Sequence, residues 1–225
     1  MFTGLLTALV VELTRFLGKH SDFFDRKADA KEEAVKALKV PTSLKHYMAH
    51  VSAEHFLKDL RLAMQIINGA DIHQLGLHGN AFFKAVVEFL TSSFAGKLDE
   101  LPERFYMLPY EDRVEAAEKV IESDNAVAQS LRETVVVNSY QEIASAVEDF
   151  AKEVTGATTV LVQMPREISL ELKKEMRQTL QAEHPYSFPI FQINRGLIGG
   201  FRLFVDGKTQ DHSWFNRIVK ITSYV

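Results

Sequence analysis

Residues 150–163 read Phe-Ala-Lys-Glu-Val-Thr-Gly-Ala-Thr-Thr-Val-Leu-Val-Gln, and the grammar of the chain changes within them. Ahead of Gly156, apolar residues recur at three- and four-residue steps, the period of a half-buried helix. After it, β-branched residues form a short run of the kind that makes a strand. The charge changes at the same place. Residues 1–156 carry 17 Lys and Arg against 24 Asp and Glu, a balance of −7, whereas residues 157–225 carry 9 against 6, a balance of +3. The expected architecture is α+β: an all-α helical bundle over 1–137, a linker helix over 138–156, and a small α/β C-terminal domain over 157–225 with a three- to four-stranded sheet.

Working toward the N-terminus, the periodicity predicts helices at about 4–19, 26–38, 43–67, 80–96, 111–122 and 138–155. Pro41, Thr42 and Ser43 supply helix-start chemistry for the third of these, and Asn68 with Gly69 supplies its stop. Leu44, Tyr47, Met48, Val51, His55 and Leu60 form one candidate packing face, and Phe82, Phe83, Val86, Val87, Phe89 and Leu90 another. Ile143, Ala144, Val147, Phe150 and Ala151 recur at helical spacing over Tyr140 to Val154, and packing against the bundle is preferred there to a partner-binding face. The most apolar stretch, Leu5 to Leu17, is interrupted by Glu12 and Arg15. It reads as one face of an amphipathic helix, with neither the length of a membrane span nor the features of a secretory leader.

Working toward the C-terminus, a strand is expected at Thr158–Gln163, a helix at Ser169–Glu183, strands at Phe188–Ile193 and Ile198–Val205, and a short final helix. Ser169 is placed to cap its helix, Glu171 lies near the positive end of the helix dipole, and Leu172, Met176 and Leu180 make one buried stripe. Asp206-Gly207 is a type I′ hairpin signal, because both central residues need positive φ. Gly199 and Gly200 inside a strand pattern imply a bulge, a close backbone approach or positive φ. Asp211 and Ser213 precede Trp214, where either side chain can cap the last helix.

Composition narrows the chemistry. The chain has 225 residues, 46% hydrophobic and 25% charged, ordinary values for a globular protein. It contains no cysteine, which excludes disulfides, thiolate metal sites and cysteine nucleophiles. A net charge of −4 argues against general nucleic-acid binding, and the basic tail lacks aromatic and basic interleaving. The glycine pair matches neither nucleotide-binding loop pattern. His46, His50 and Glu54 fall at i, i+4 and i+8 of the third expected helix, on one face, and make the alternative reading of a metal-dependent hydrolase or oxygenase. No His-Glu-x-x-His motif accompanies them, so exposed histidines on an amphipathic helix are the simpler account. Glu111, Asp112, Glu115, Glu118 and Glu122 are interspersed with Arg113 and Lys119 and read as a solvated helix face. No catalytic residue, cofactor or metal is expected.

Val160, Val162, Met164, Pro165 and Ile168, then Gly196, Leu197, Ile198, Gly199, Gly200 and Phe201, then Val205, Asp206 and Gly207, then Asp211, His212 and Ser213, occur in one order over the last third of the chain. That ordered string resembles the C-terminal domain of the delta subunit of rotary F-type ATP synthase, called OSCP in mitochondria. Asn194, Arg195 and Gly196 stand where the family usually has an acidic residue and often proline. The helical part agrees with the family in helical character and is longer than usual.

What the resemblance implies is a non-catalytic peripheral-stalk connector, one copy per complex, in proton-driven ATP synthesis. Its helical domain would grip the N-termini of the ATP synthase α subunits, and its C-terminal domain would hold the b subunit, so linking the F1 head to the stalk. The implied location is peripheral, on the cytoplasmic face of the inner (plasma) membrane, with no membrane span. Leu197, Ile198, Gly199, Gly200, Phe201, Asp211, Ser213 and Trp214 are then the motif and the candidate partner contacts. A stator subunit of another rotary ATPase is a further alternative, since V-type E subunits resemble a strand and helix domain with a Gly-Gly turn. Those begin with a long charged coiled coil, which residues 1–20 do not resemble.

Overall fold

The computed structural model describes residues 2–102 and 104–216. The chain forms two compact units that divide between Thr155 and Gly156. The fold is α+β, with a helical first unit and a small mixed sheet in the second.

In the first unit, α1 (Thr3–Lys19), α2 (Ala28–Val35), α3 (Thr42–His50), α4 (Ala53–Ile67) and α5 (Ala81–Phe89) lead through a π turn at Leu90–Phe94 into α6 (Ala95–Asp99). They are followed by α7 (Tyr110–Val120), α8 (Ala126–Val137) and α9 (Tyr140–Thr155). Leu5, Leu6, Leu9 and Leu13 of α1 are buried, and α1 packs on α4 and α8. Phe83, Val86 and Val87 of α5 are buried where it packs on α3 and α9, with Phe83 edge-on to Phe150 at 6.1 Å between ring centroids. Removal of apolar side chains from water supplies the cohesion of this bundle.

One buried polar junction joins three helices. The Tyr47 hydroxyl of α3 donates to Asp59 Oδ2 of α4 at 2.7 Å, and Asn80 Nδ2 donates to Asp59 Oδ1 at 2.6 Å. Asn80 Oδ1 in turn accepts the Phe83 N–H and caps α5. Both carboxylate oxygens of the buried Asp59 are therefore engaged. Burial first, and the bond to Asp59 second, push the Tyr47 hydroxyl well above the usual tyrosine range.

Three expectations for this unit are corrected. The stretch 43–67 is two helices, because Val51 and Ser52 are extended and the Ser52 hydroxyl accepts the His55 N–H as the cap of α4. Residues 126–137, where no helix was expected, form α8, opened by Asn125, whose side chain accepts the Ala128 N–H at 2.8 Å. The stretch expected as a separate linker helix is α9 and belongs to the first unit, while its expected packing face, Ile143, Ala144, Val147, Phe150 and Ala151, is buried as the spacing implies, together with Val154. Smaller differences concern α2, which is shorter than expected and preceded by a 3-10 turn at Phe23–Asp25, and the helix from Ala81, which runs on to Asp99.

The second unit contains β1 (Val160–Met164), α10 (Leu170–Glu183), β2 (Ile190–Ile193), β3 (Arg202–Val205) and β4 (Lys208–Asp211). The sheet order is β2-β1-β3-β4. β2 runs parallel to β1, a pairing that requires a crossover, and α10 provides it. β3 is antiparallel to β1, and β4 to β3. The β3–β4 hairpin turns at Asp206 and Gly207, with φ of 46° and 76°, as a type I′ turn demands. Val160, Val162 and Met164 alternate inward and pack with Leu203 and with Leu180 of α10, while Ile168, Met176, Phe191 and Phe201 close around them. The Ser169 hydroxyl accepts the Leu172 N–H and caps α10. The strand expected over 198–205 begins at Arg202 instead, because Gly199 and Gly200 take φ of 92° and 71° and turn the chain out of the ladder. Residues 214–216 are helical, and the rest of the stretch where a short final helix is expected lies outside the described residues.

No helix among the described residues is long and apolar enough to cross a membrane.

Candidate functional site

Between α10 and the turn that follows β2, the second unit opens an apolar groove of about 510 Å3. Its lining comes from three places: Met164 at the end of β1 with Pro165, Arg166 and Ile168 after it, Leu172 and Met176 on α10, and Gly199, Gly200, Phe201 and Trp214. The groove exists because α10 covers the sheet with its middle and C-terminal turns. Leu180 is buried and Met176 half buried, but Leu172 remains 43% exposed at the mouth. The stripe expected to be wholly buried is therefore graded, from core at Leu180 to surface at Leu172.

The turn is anchored by Asn194. Its N–H donates to the Met164 carbonyl at 2.6 Å, extending the ladder by one bond beyond β2, and its side-chain amide donates to Gln163 Oε1 at 3.0 Å. Asn194 Oδ1 accepts the Gly196 N–H at 3.0 Å, an Asx turn that brings Leu197 down into the core. The chain then passes Ile198, 70% exposed, and enters the glycine pair.

Each glycine is required for a different reason. At Gly199 a Cβ would stand 3.2 Å from Cδ2 of the Trp214 indole, which covers this residue. At Gly200 a Cβ would stand 2.3 Å from the carbonyl oxygen of His212, where the chain returning from β4 crosses behind the turn. Hydrogen bonds from Trp214 N–H to the Gly199 carbonyl, at 3.3 Å, and from His212 N–H to the Phe201 carbonyl, at 3.0 Å, hold that crossing. The pair serves backbone approach and packing of the indole.

Asp211 and Ser213 brace the returning chain. Asp211 Oδ2 accepts Arg202 Nε and Nη2 at 3.2 and 2.9 Å, and Oδ1 accepts the Ser213 N–H at 2.9 Å. Ser213 Oγ accepts the Asn216 N–H, so Ser213 is the cap, and Asp211 supports it from behind. Bonds from Ser213, and then from Arg202, hold the Asp211 carboxyl at a pKa of about 2.

Of the eight residues picked out from the sequence, Gly199, Gly200, Phe201 and Trp214 meet at the groove. Leu197 lies in the core, Ile198 projects from the turn, and Asp211 and Ser213 stand behind Trp214. Sequence reasoning missed the opposite wall, Met164, Ile168, Leu172 and Met176. The available signal was Leu172 in the first turn of α10, where the crossing of helix over sheet leaves an apolar stripe partly uncovered.

The other constellations disperse. The break at Val51–Ser52 places Glu54 on α4, a different helix from His46 and His50, so the expected three-residue face does not form. His50 Nδ1 lies 2.9 Å from the His46 carbonyl, and the His50 ring stands 4.0 Å from a Glu32 carboxylate oxygen. Among the described residues, no group of three or more His, Cys, Asp or Glu is placed to hold a metal ion. Glu111, Asp112, Glu115, Glu118 and Glu122 are exposed, and Glu115 pairs with Lys119 at 2.7 Å.

No protein-family model matches the chain, and no curated protein matches it.

Proposed function

We propose that this protein is a non-catalytic stator connector of a rotary F-type ATP synthase, linking the catalytic head to the peripheral stalk. The observation that carries this reading is the apolar groove assembled from Leu172, Met176, Phe201 and Trp214 on a small β-α-β-β-β domain that follows a helical bundle. A groove of this kind takes the apolar face of a helix, anchored by residues spaced three and four apart. Here that helix is the end of the b-subunit stalk, while the helical unit engages the N-termini of the α subunits. The work is mechanical: both attachments resist rotor torque, so that conformational change occurs at catalytic sites on other subunits. The protein works peripherally, on the cytoplasmic face of the membrane that carries the complex.

Several observations support the reading without a chemical step. The groove is lined almost wholly by apolar side chains, and its polar neighbours Asp211 and Ser213 are committed to bracing the backbone. Exposed Trp214 and Ile198 have the character of interface anchors, since an aromatic ring held in a defined place contributes large contact area at small entropic cost. The resemblance of the last third of the chain to the delta family is the reason the b subunit is proposed as the partner.

Affinity purification of the full-length tagged chain from gently solubilised native membranes, followed by mass spectrometry, tests this directly. Recovery of the head α and β subunits together with the b subunit is expected. A folded, abundant bait that brings down none of them overturns the assignment.

A further inference from the structure

We infer that Arg202 and Asp211 form a positioning clamp that sets Trp214 as a fixed wall of the groove from the opposite face of the sheet. The inference rests on reading the groove as a docking site.

Arg202 and Asp211 are direct register partners in β3 and β4. Leu203, the next residue of β3, points into the core, so Arg202 and its partner point to the other face. There the two nitrogens Nε and Nη2 of Arg202 reach one carboxylate oxygen, which fixes the orientation of the group as well as its position. The remaining oxygen takes the Ser213 N–H. Asn216 closes the loop, donating through Nδ2 to the Asp211 carbonyl at 2.7 Å and through its N–H to Ser213 Oγ at 3.3 Å.

Trp214 lies inside this closed loop, and its own N–H is tied to the Gly199 carbonyl on the groove side. Its backbone is therefore held from both directions, although the residue is 61% exposed. The indole rests over Gly199, where no side chain intervenes. A ring held in this way has little freedom left to lose when a ligand arrives, which is pre-organisation in the ordinary sense. Asp211 and Arg202 are absent from the groove lining and act through Trp214. They are positioning residues, and a change of charge at either one reaches the groove through the sheet.

Trp214 is the single tryptophan of the chain, so intrinsic fluorescence reads this wall alone. The experiment compares full-length wild type with Asp211→Asn, Arg202→Gln and Arg202→Lys. It uses Trp214 anisotropy, acrylamide quenching, far-UV circular dichroism, and titration with the apolar dye anilinonaphthalene sulfonate as groove probe. With unchanged circular dichroism, Asp211→Asn and Arg202→Gln are expected to lower the anisotropy and raise the quenching constant. Dye affinity should fall about fivefold, the factor that ordering one further side chain on binding is worth. Arg202→Lys, which keeps the charge and loses the two-nitrogen geometry, should fall between. Wild-type anisotropy in both Asp211→Asn and Arg202→Gln overturns the clamp. So does loss of circular dichroism in these variants, because the pair then holds the fold as a whole. If the dye fails to bind wild type, the docking reading of the groove falls, while anisotropy still decides for or against the clamp.

Discussion

A β-carbon on Gly200 would lie 2.3 Å from the carbonyl oxygen of His212, closer than any real contact, and the obstructing atom is backbone. The residue also has φ of 71°, a region that L side chains enter at a cost. Gly200→Ala is therefore expected to destabilise the second unit by about 3 kcal/mol or more, combining overpacking with backbone strain. Gly199→Ala meets the side chain of Trp214 at 3.2 Å instead of backbone at 2.3 Å, and should cost less stability while pushing the indole out of its held position. Denaturant unfolding followed by Trp214 emission reads both, and equal behaviour of the two variants contradicts the distinction.

The Asp211 carboxyl makes the turn sensitive to acid in a defined window. Its pKa falls from the ordinary 3.8 to about 2, because Ser213 and then Arg202 bond to the charged form. A group whose folded value is depressed stabilises the fold fully above its unfolded value, and that contribution is lost as pH falls toward the folded value. Trp214 anisotropy should accordingly hold steady from neutral pH to about 4, then decline toward pH 2. In Asp211→Asn that step should be missing. A step of the same size in the variant would assign the acid response to another group.

The junction of α3, α4 and α5 gives a graded series. Asp59→Ala leaves the Tyr47 hydroxyl and the Asn80 amide without their acceptor in a buried place, and is expected to cost about 3 kcal/mol. Tyr47→Phe removes one bond and leaves Asp59 held by Asn80, for about 2 kcal/mol. The double variant should cost less than the sum, since both changes remove the same hydrogen bond. Urea unfolding monitored by circular dichroism measures the series, and strict additivity would rule out the coupling.

What the sequence disclosed, and what it concealed, follows from the range of the interactions involved. The change of grammar at Gly156 rests on local periodicity. The Asp206-Gly207 hairpin and the Ser169 cap rest on single-residue conformational preferences, and these features appear as expected. The break at Val51–Ser52 was concealed because the apolar faces on either side of it keep a helical spacing across the gap. Ser52 reads as an ordinary polar surface residue until its hydroxyl is seen to take the His55 N–H. Helix α8 was overlooked although Asn125 stands three residues before its bonding partner Ala128, since Val135, Val136 and Val137 carry little intrinsic helix preference and the helix is settled by packing on α1 and α7, with Val135 and Val136 buried. At the groove, glycines announce themselves as punctuation, but the wall from α10 depends on how far that helix reaches over the sheet. That is a tertiary quantity, and no spacing within residues 170–183 records it.

The graded burial along α10 separates docking from folding. Leu172 is 43% exposed at the groove mouth, whereas Leu180, two turns along the same helix, is 7% exposed and belongs to the core. Leu180→Ala should therefore destabilise the second unit by about 3 kcal/mol. Leu172→Glu buries no charge and removes few contacts, so its effect on stability should stay within about 0.5 kcal/mol. On binding the order reverses, because a carboxylate placed at the mouth must be desolvated beneath an apolar helix face. A peptide from the end of the stalk b subunit, titrated against the full-length protein and followed through Trp214, should bind Leu172→Glu at least about tenfold more weakly than wild type. If the peptide binds wild type and Leu172→Glu equally, the groove is a packing feature of the domain and the proposed docking there is overturned. If only the variant loses affinity, with its unfolding midpoint unmoved, the uncovered end of α10 is the contact surface, and the incomplete stripe from Leu180 to Leu172 is what a docking helix completes.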